Sequence, residues 1–276
     1  MQFPSARARA IASLLSLVLL ALLLGACRHG TMRTDRDQAA EGRFLVREVT
    51  VNGATRRYQV FVPSRRAGGA QPPVILFLHG SGERGDDGLR QTQSGLGPYV
   101  RAHADAFPAI VVFPQVPEDE EWYGGSAAVA LAALDAASVE FGGDRDRTYL
   151  TGLSMGGYGT WELALRAPGR FAALVPICGG ITRVHDARAL FVTQVADDPD
   201  PFATVAGRLR QIPVWIFHGG ADDVVPPEDD RKLIAAFRAA RARDARHTEL
   251  PGVGHNAWDP AYATPALWDW LFAQRR

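Results

Sequence analysis

The run from 148 to 159 restricts the fold more than any other stretch. Thr148-Tyr149-Leu150-Thr151 is β-prone, the pentad Gly152-Leu153-Ser154-Met155-Gly156 follows at once, and 160–167 has the composition of a helix. A serine on a sharp turn between strand and helix is pushed clear of the backbone. Flanking glycines leave room for that turn, and the helix N-terminus behind it favours developing negative charge. Ser154 is therefore the candidate nucleophile. Taken alone, the pentad also fits a glycine-rich turn whose serine merely caps a helix. The strand before it and the helix after it supply the context a nucleophile needs.

The rest of the chain alternates in the same way. Continuous apolar runs at 74–78 and 109–113 have the character of strands covered on both faces of a parallel sheet. Further strands are expected at 172–177, 213–217 and 247–250, and helices at 126–141, 227–243 and 264–272. Ser126 is placed to cap the first of these helices and Gly142-Gly143 to end it. The second carries Glu228, Asp229 and Asp230 in its first turn and Arg238, Arg241 and Arg243 toward its end, which suits the helix dipole. Two β-rich runs, 44–51 and 57–62, flank Asn52-Gly53 and read as a hairpin whose loop reaches Arg56, longer than the tight two-residue type. This order predicts an α/β fold: a doubly wound, mostly parallel sheet flanked by helices, with the antiparallel hairpin at one edge. Function in such sheets collects beyond the carboxyl ends of the strands. Between 177 and 213 there is room for a small helical cap, not a large lid.

A serine hydroxyl is a poor nucleophile at neutral pH unless a base removes its proton, and the base needs a carboxylate to orient it. Strand–elbow–helix hydrolases supply these downstream, acid first and histidine second. The chain offers Asp222 and Asp223 just after the strand at 213–217, and His255 on a glycine-rich loop after the last strand. Asp222 is the first choice for the acid and Asp223 the second. His79 and His218 are assigned to holding their loops by hydrogen bonds, while His29, His103, His185 and His247 lack a supporting pattern. The glycine-rich loop His79 to Gly85 can turn backbone N–H groups toward an oxyanion, so the N–H groups of Ser81 and Met155 are the candidate oxyanion hole. Trp122, Tyr123 and Trp258 are candidates to line a substrate pocket. The acidic run 118–121 reads as a solvated loop, and Cys178 as a buried core thiol.

Equal numbers of basic and acidic side chains, 30 of each, argue against nucleic acid as a partner. No C-x-x-C or H-E-x-x-H pattern occurs, so neither a metal site nor a cofactor is expected. Arg7 and Arg9 precede an apolar run at 14–24 that is too short to span a bilayer and reads as a secretory signal. Leu24-Gly25-Ala26-Cys27 resembles a bacterial lipobox, in which the cysteine becomes the lipidated first residue; an ordinary cleaved signal is the alternative. The expected organisation is a signal peptide at 1–26, a polar tether at 27–42 and one catalytic domain at 43–276. The protein is then exported and held in the cell envelope by a lipid on Cys27.

Four segments together, LFLHGSGERGDD (76–87), GLSMGGYGTW (152–161), HGGADDVVP (218–226) and GVGHNAWD (252–259), resemble the α/β-hydrolase superfamily, in its secreted carboxylesterase and polyhydroxybutyrate-depolymerase-like branch. They occur in family order and at family spacing over nearly the whole mature chain. The resemblance implies an α/β-hydrolase fold and a Ser-His-Asp triad of Ser154, His255 and Asp222, with Ser81 as second oxyanion donor. It also implies a small-molecule or polysaccharide ester as substrate. Two other functions fit less of the pattern: a peptidase of the prolyl-oligopeptidase kind, and a surface-anchored binding protein on a hydrolase scaffold.

Overall fold

In each buried strand successive side chains turn to opposite faces of the sheet, so an unbroken apolar run needs a helical layer on both sides. The computed structural model, which describes residues 42–64, 69–184 and 190–276, meets that demand. The signal segment, Cys27, nearly all of the tether and His185 lie outside the described residues. Eight strands form one sheet: β1 (Arg43–Val51), β2 (Ala54–Val62), β3 (Val74–Leu78), β4 (Ile110–Pro114), β5 (Thr148–Leu153), β6 (Ala173–Ile177), β7 (Val214–Gly219) and β8 (Ala245–Leu250). Their spatial order is β1-β2-β4-β3-β5-β6-β7-β8. Strands β3 to β8 run parallel, and the β1–β2 hairpin joins antiparallel through β2 against β4.

Seven helices are described: α1 (Leu96–Ala102), α2 (Gly124–Glu140), α3 (Met155–Arg166), α4 (Pro201–Leu209), α5 (Glu228–Ala239), α6 (Trp258–Tyr262) and α7 (Pro265–Phe272). Val74, Leu76 and Leu78 of β3 point into one core with residues of α2, α3, α4 and α5. Ile75 and Phe77 point into the other, against α1, α6 and α7. Strand β3 lies between β4, its successor through α1, and β5, reached through α2 on the opposite face. The connections therefore diverge at the carboxyl ends of β3 and β5, the switch point at which open α/β sheets hold their ligands.

Three local expectations are corrected. The hairpin loop is the tight two-residue type: Val51 pairs with Ala54, and Asn52 and Gly53 take φ of 51° and 80°. Both angles lie in the left-handed region that this turn requires. Ser126 does not cap α2, which starts two residues earlier after Tyr123; its hydroxyl bonds the Glu120 carboxylate at 2.5 Å. The segment between β6 and β7 supplies α4, which packs on α3 and α5 beside the sheet as the crossover helix. Among the described residues no helix is long and apolar enough to cross a membrane.

Candidate active site

The turn after β5 is as sharp as the pentad demands. Ser154 has φ 52° and ψ −119°, a strained conformation that costs a non-glycine residue about 1–3 kcal/mol. Its flanking glycines are fixed by close backbone contact. A Cβ on Gly152 would stand 2.2 Å from the Gly156 carbonyl oxygen, and one on Gly156 1.9 Å from that of Leu78. The Ser154 N–H donates to the Ile177 oxygen at 2.9 Å, pinning the turn to the end of β6. Helix α3 begins at the next residue, earlier than the sequence indicates. As its first residue, Met155 has an N–H with no partner inside the helix.

Two loops from β7 and β8 complete the cluster. His255 Nε2 lies 2.9 Å from Ser154 Oγ, and His255 Nδ1 lies 2.8 Å from Asp222 Oδ2. With the carboxylate accepting from Nδ1–H, Nε2 keeps a lone pair for the serine proton. Asp222 Oδ1 accepts from the N–H groups of Val224 at 2.9 Å and Val225 at 3.0 Å. Burial would raise the Asp222 pKa, but the bonds from His218, His255 and the Val225 N–H together hold it well below the usual carboxylate range. Asp223 is exposed, and of the two acids it is Asp222 that the fold brings to His255. Trp258, half-buried, sets its ring edge-on to the His255 imidazole at 5.5 Å.

The loop after β3 is held from several sides. His79 Nδ1–H donates to the Gly80 oxygen at 2.7 Å, and its Nε2 accepts the Val116 N–H at 3.0 Å. Burial lowers the His79 pKa to about 4, so the ring is neutral. Trp122 is buried; its Nε1 donates to the His79 oxygen at 2.9 Å, and its ring stands edge-on to the imidazole. Glu83 accepts the Gly80 N–H at 3.0 Å, and Gln115 Nε2 donates to the Glu83 oxygen at 3.1 Å. Ser81 opens a short turn, Ser81–Glu83, and its N–H is free of that turn in the same way as that of Met155. The acidic run is only half solvated: Glu118 and Asp119 are exposed. Glu121 pairs with the buried Arg84, whose Nε also donates to the Glu120 oxygen at 2.8 Å. Sequence reasoning missed Glu83, Arg84 and Gln115. An arginine inside an otherwise glycine-rich loop was the available signal, since a buried guanidinium needs acceptors.

A narrow cleft of about 10 Å³, room for about one water molecule, opens beside Met155, bordered by Trp122, Tyr123, Tyr158, Gly159, Leu190 and Phe191. Cys178 is fully buried after β6, with its Sγ within 4.8 Å of ligand atoms of Asp222 and His255. That spacing could suit a metal, but burial keeps the thiol protonated, and the other two groups already bond each other.

Known proteins resemble this chain in sequence and in fold. No protein-family model matches the chain. It is 26% identical over 197 residues to the bifunctional acetylxylan esterase/xylanase XynS20E of Neocallimastix patriciarum, covering 67% of this chain and 24% of that protein. It is 24% identical over 227 residues to poly(3-hydroxyalkanoate) depolymerase C of Paucimonas lemoignei, covering 72% of this chain and 53% of that one. The chain thus spans about a quarter and about half of the lengths of these relatives. Among solved structures, a thermostable esterase superposes with a TM-score of 0.69 at 31% identity, over 84% of this chain and 63% of its own.

Proposed function

We propose, starting from a chain that belongs to the α/β-hydrolase superfamily, that the protein is a serine carboxylic-ester hydrolase. The observation that carries this reading is the unbroken line of bonds from Ser154 Oγ through His255 to Asp222. Ser154 Oγ attacks the ester carbonyl while His255 Nε2 takes its proton, and Asp222 balances the imidazolium that forms. His255 then returns the proton to the departing alcohol, and water activated by the same imidazole releases the acid. The N–H groups of Ser81 and Met155 receive the oxyanion, each such donor being worth roughly 2.7–4 kcal/mol in the transition state.

Short-acyl or polysaccharide-linked esters are the proposed substrates. The narrowness of the cleft beside Met155 argues against a long acyl chain. The relatives named for acetylxylan and for a polyester support an open site that admits a bulky alcohol partner. A fluorophosphonate probe should label the wild-type protein and spare Ser154→Ala, whose turnover of nitrophenyl acetate should fall on the order of 10⁶-fold. An unlabelled wild type would overturn the reading, and a preference for long-chain nitrophenyl esters would overturn its substrate part. The lipobox-like residues at 24–27 support export and a lipid anchor on Cys27. Cys27→Ser should then shift the protein from the membrane pellet to the soluble fraction.

A further inference from the structure

Next to the cluster lies a second histidine whose surroundings supply only acceptors. His218 sits near the end of β7, fully buried. Its Nδ1 is 2.6 Å from Asp230 Oδ2. Its Nε2 is 2.8 Å from the Val225 carbonyl oxygen and 3.3 Å from Asp222 Oδ2. A carbonyl oxygen can only accept, and so can an ionised carboxylate; burial raises the Asp230 pKa to about 6, so above that pH both ring nitrogens must donate. A neutral imidazole has one N–H and cannot do this.

The consequence falls on Asp222. Its Oδ1 receives two backbone N–H groups, its Oδ2 receives His255 Nδ1–H, and His218 Nε2 stands 3.3 Å from Oδ2. Three donors and the adjacent imidazolium charge hold the carboxylate ionised. They also fix the rotation of the carboxyl group, and hence the oxygen that meets His255. Asp230, fully buried on α5 with its Oδ1 unpartnered, is the counter-charge on the far side.

We propose that His218 is a positioning residue of the site: a buried imidazolium held between Asp222 and Asp230 that fixes the Asp222 carboxylate toward His255. The inference rests on the reading of Ser154, His255 and Asp222 given above. The raised His218 pKa, to about 10, agrees: burial opposes the charge, but the bonds to Asp222 and Asp230 outweigh it. The other groups facing this cluster are Asp229 beside Asp230, His247 and Glu249 on β8, and Tyr158 and Cys178 across from the two aspartates.

Opposite charge changes on the two sides of the imidazolium give opposite signatures. The acid limb of kcat/KM for nitrophenyl acetate reports protonation of the free enzyme's base. His218→Asn removes a positive charge beside Asp222, so the limb should move to higher pH. Asp230→Asn removes a negative charge and should move the limb to lower pH. Each shift should be about half a pH unit or more, toward the low end for a nearby charge because a counter-charge accompanies it. A merely structural role would lower kcat in both variants and leave the limb in place, or move it in one common direction; either result overturns the proposal. Nitrogen-15 NMR of the wild-type protein needs no folded variant. At pH 8 both His218 ring nitrogens should carry protons, and one bare ring nitrogen would overturn the proposal. Fluorophosphonate labelling run in parallel separates the two failures, since a labelled wild type with an unmoved acid limb sinks only the role of His218.

Discussion

His79-Gly80 and His218-Gly219 are the same dipeptide at the carboxyl ends of two parallel strands, yet the protein keeps the two imidazoles in opposite charge states. His79 meets one acceptor, the Gly80 oxygen, and one donor, the Val116 N–H. A neutral ring satisfies both, and burial together with the nearby Arg84 charge then disfavours a protonated ring. His218 meets the Val225 oxygen and two carboxylates. The pair teaches that burial does not decide the charge of an inner histidine; the donor and acceptor count around its nitrogens does. It also divides the labour of the site. In the proposed mechanism the neutral histidine holds the loop that offers the Ser81 N–H, and the charged one holds the carboxylate that orients His255.

The largest test of this division acts on the acid that both His218 and His255 touch. Asp222→Asn leaves the shape intact but turns one acceptor into a donor, and turnover of nitrophenyl acetate should fall about 10⁴-fold. The next pair sets the two histidines directly against each other in urea denaturation. His218→Phe strands the buried Asp230 carboxylate and should cost about 3–5 kcal/mol. His79→Phe leaves only the neutral Val116 N–H unpaired and should cost about 1–3 kcal/mol. Equal losses would erase the distinction.

The same pair also differs in the pH dependence of stability. The folded-state pKa of His218 is raised from 6.5 to about 10, so its contribution is complete below pH 6.5 and drains away as pH rises toward 10. That of His79 is lowered from 6.5 to about 4, so the unfolded chain takes up the proton first and stability is lost as pH falls from 6.5 toward 4. Denaturation midpoints measured across pH should lose the alkaline slope in His218→Phe and the acid slope in His79→Phe. Slopes that persist in both variants would assign the pH dependence to other groups.

Much of this molecule is legible in the chain because its signals are local. The apolar runs at 74–78 and 109–113 are strands because each must be covered twice, and the glycines at 152 and 156 are forced by backbone contact within the turn itself. Other signals were local but ambiguous. Thr55 and Arg56 look like loop on polarity, yet they belong to the partly exposed start of a hairpin strand, where polar side chains are tolerated. Ser126 has the chemistry of a cap, but an acid six residues earlier takes its hydroxyl. The acidic run at 118–121 gives no hint that half of it turns inward, because Arg84, its partner, is 37 positions away from Glu121.

The sequence by itself determined the elbow, the parallel sheet and the order in which a hydroxyl, a carboxylate and an imidazole occur, because turn geometry and hydrophobic pattern act over a few residues. It also named Asp222 ahead of Asp223, though only folding shows which of these neighbours turns inward. The charge of the two histidines was decided by tertiary structure alone. A hydrogen-bonding group is satisfied by whatever the fold carries to within about 3 Å. For His79 that is a backbone N–H from beyond β4, and for His218 a carboxylate from the first turn of α5. No pattern within either His-Gly pair encodes that difference.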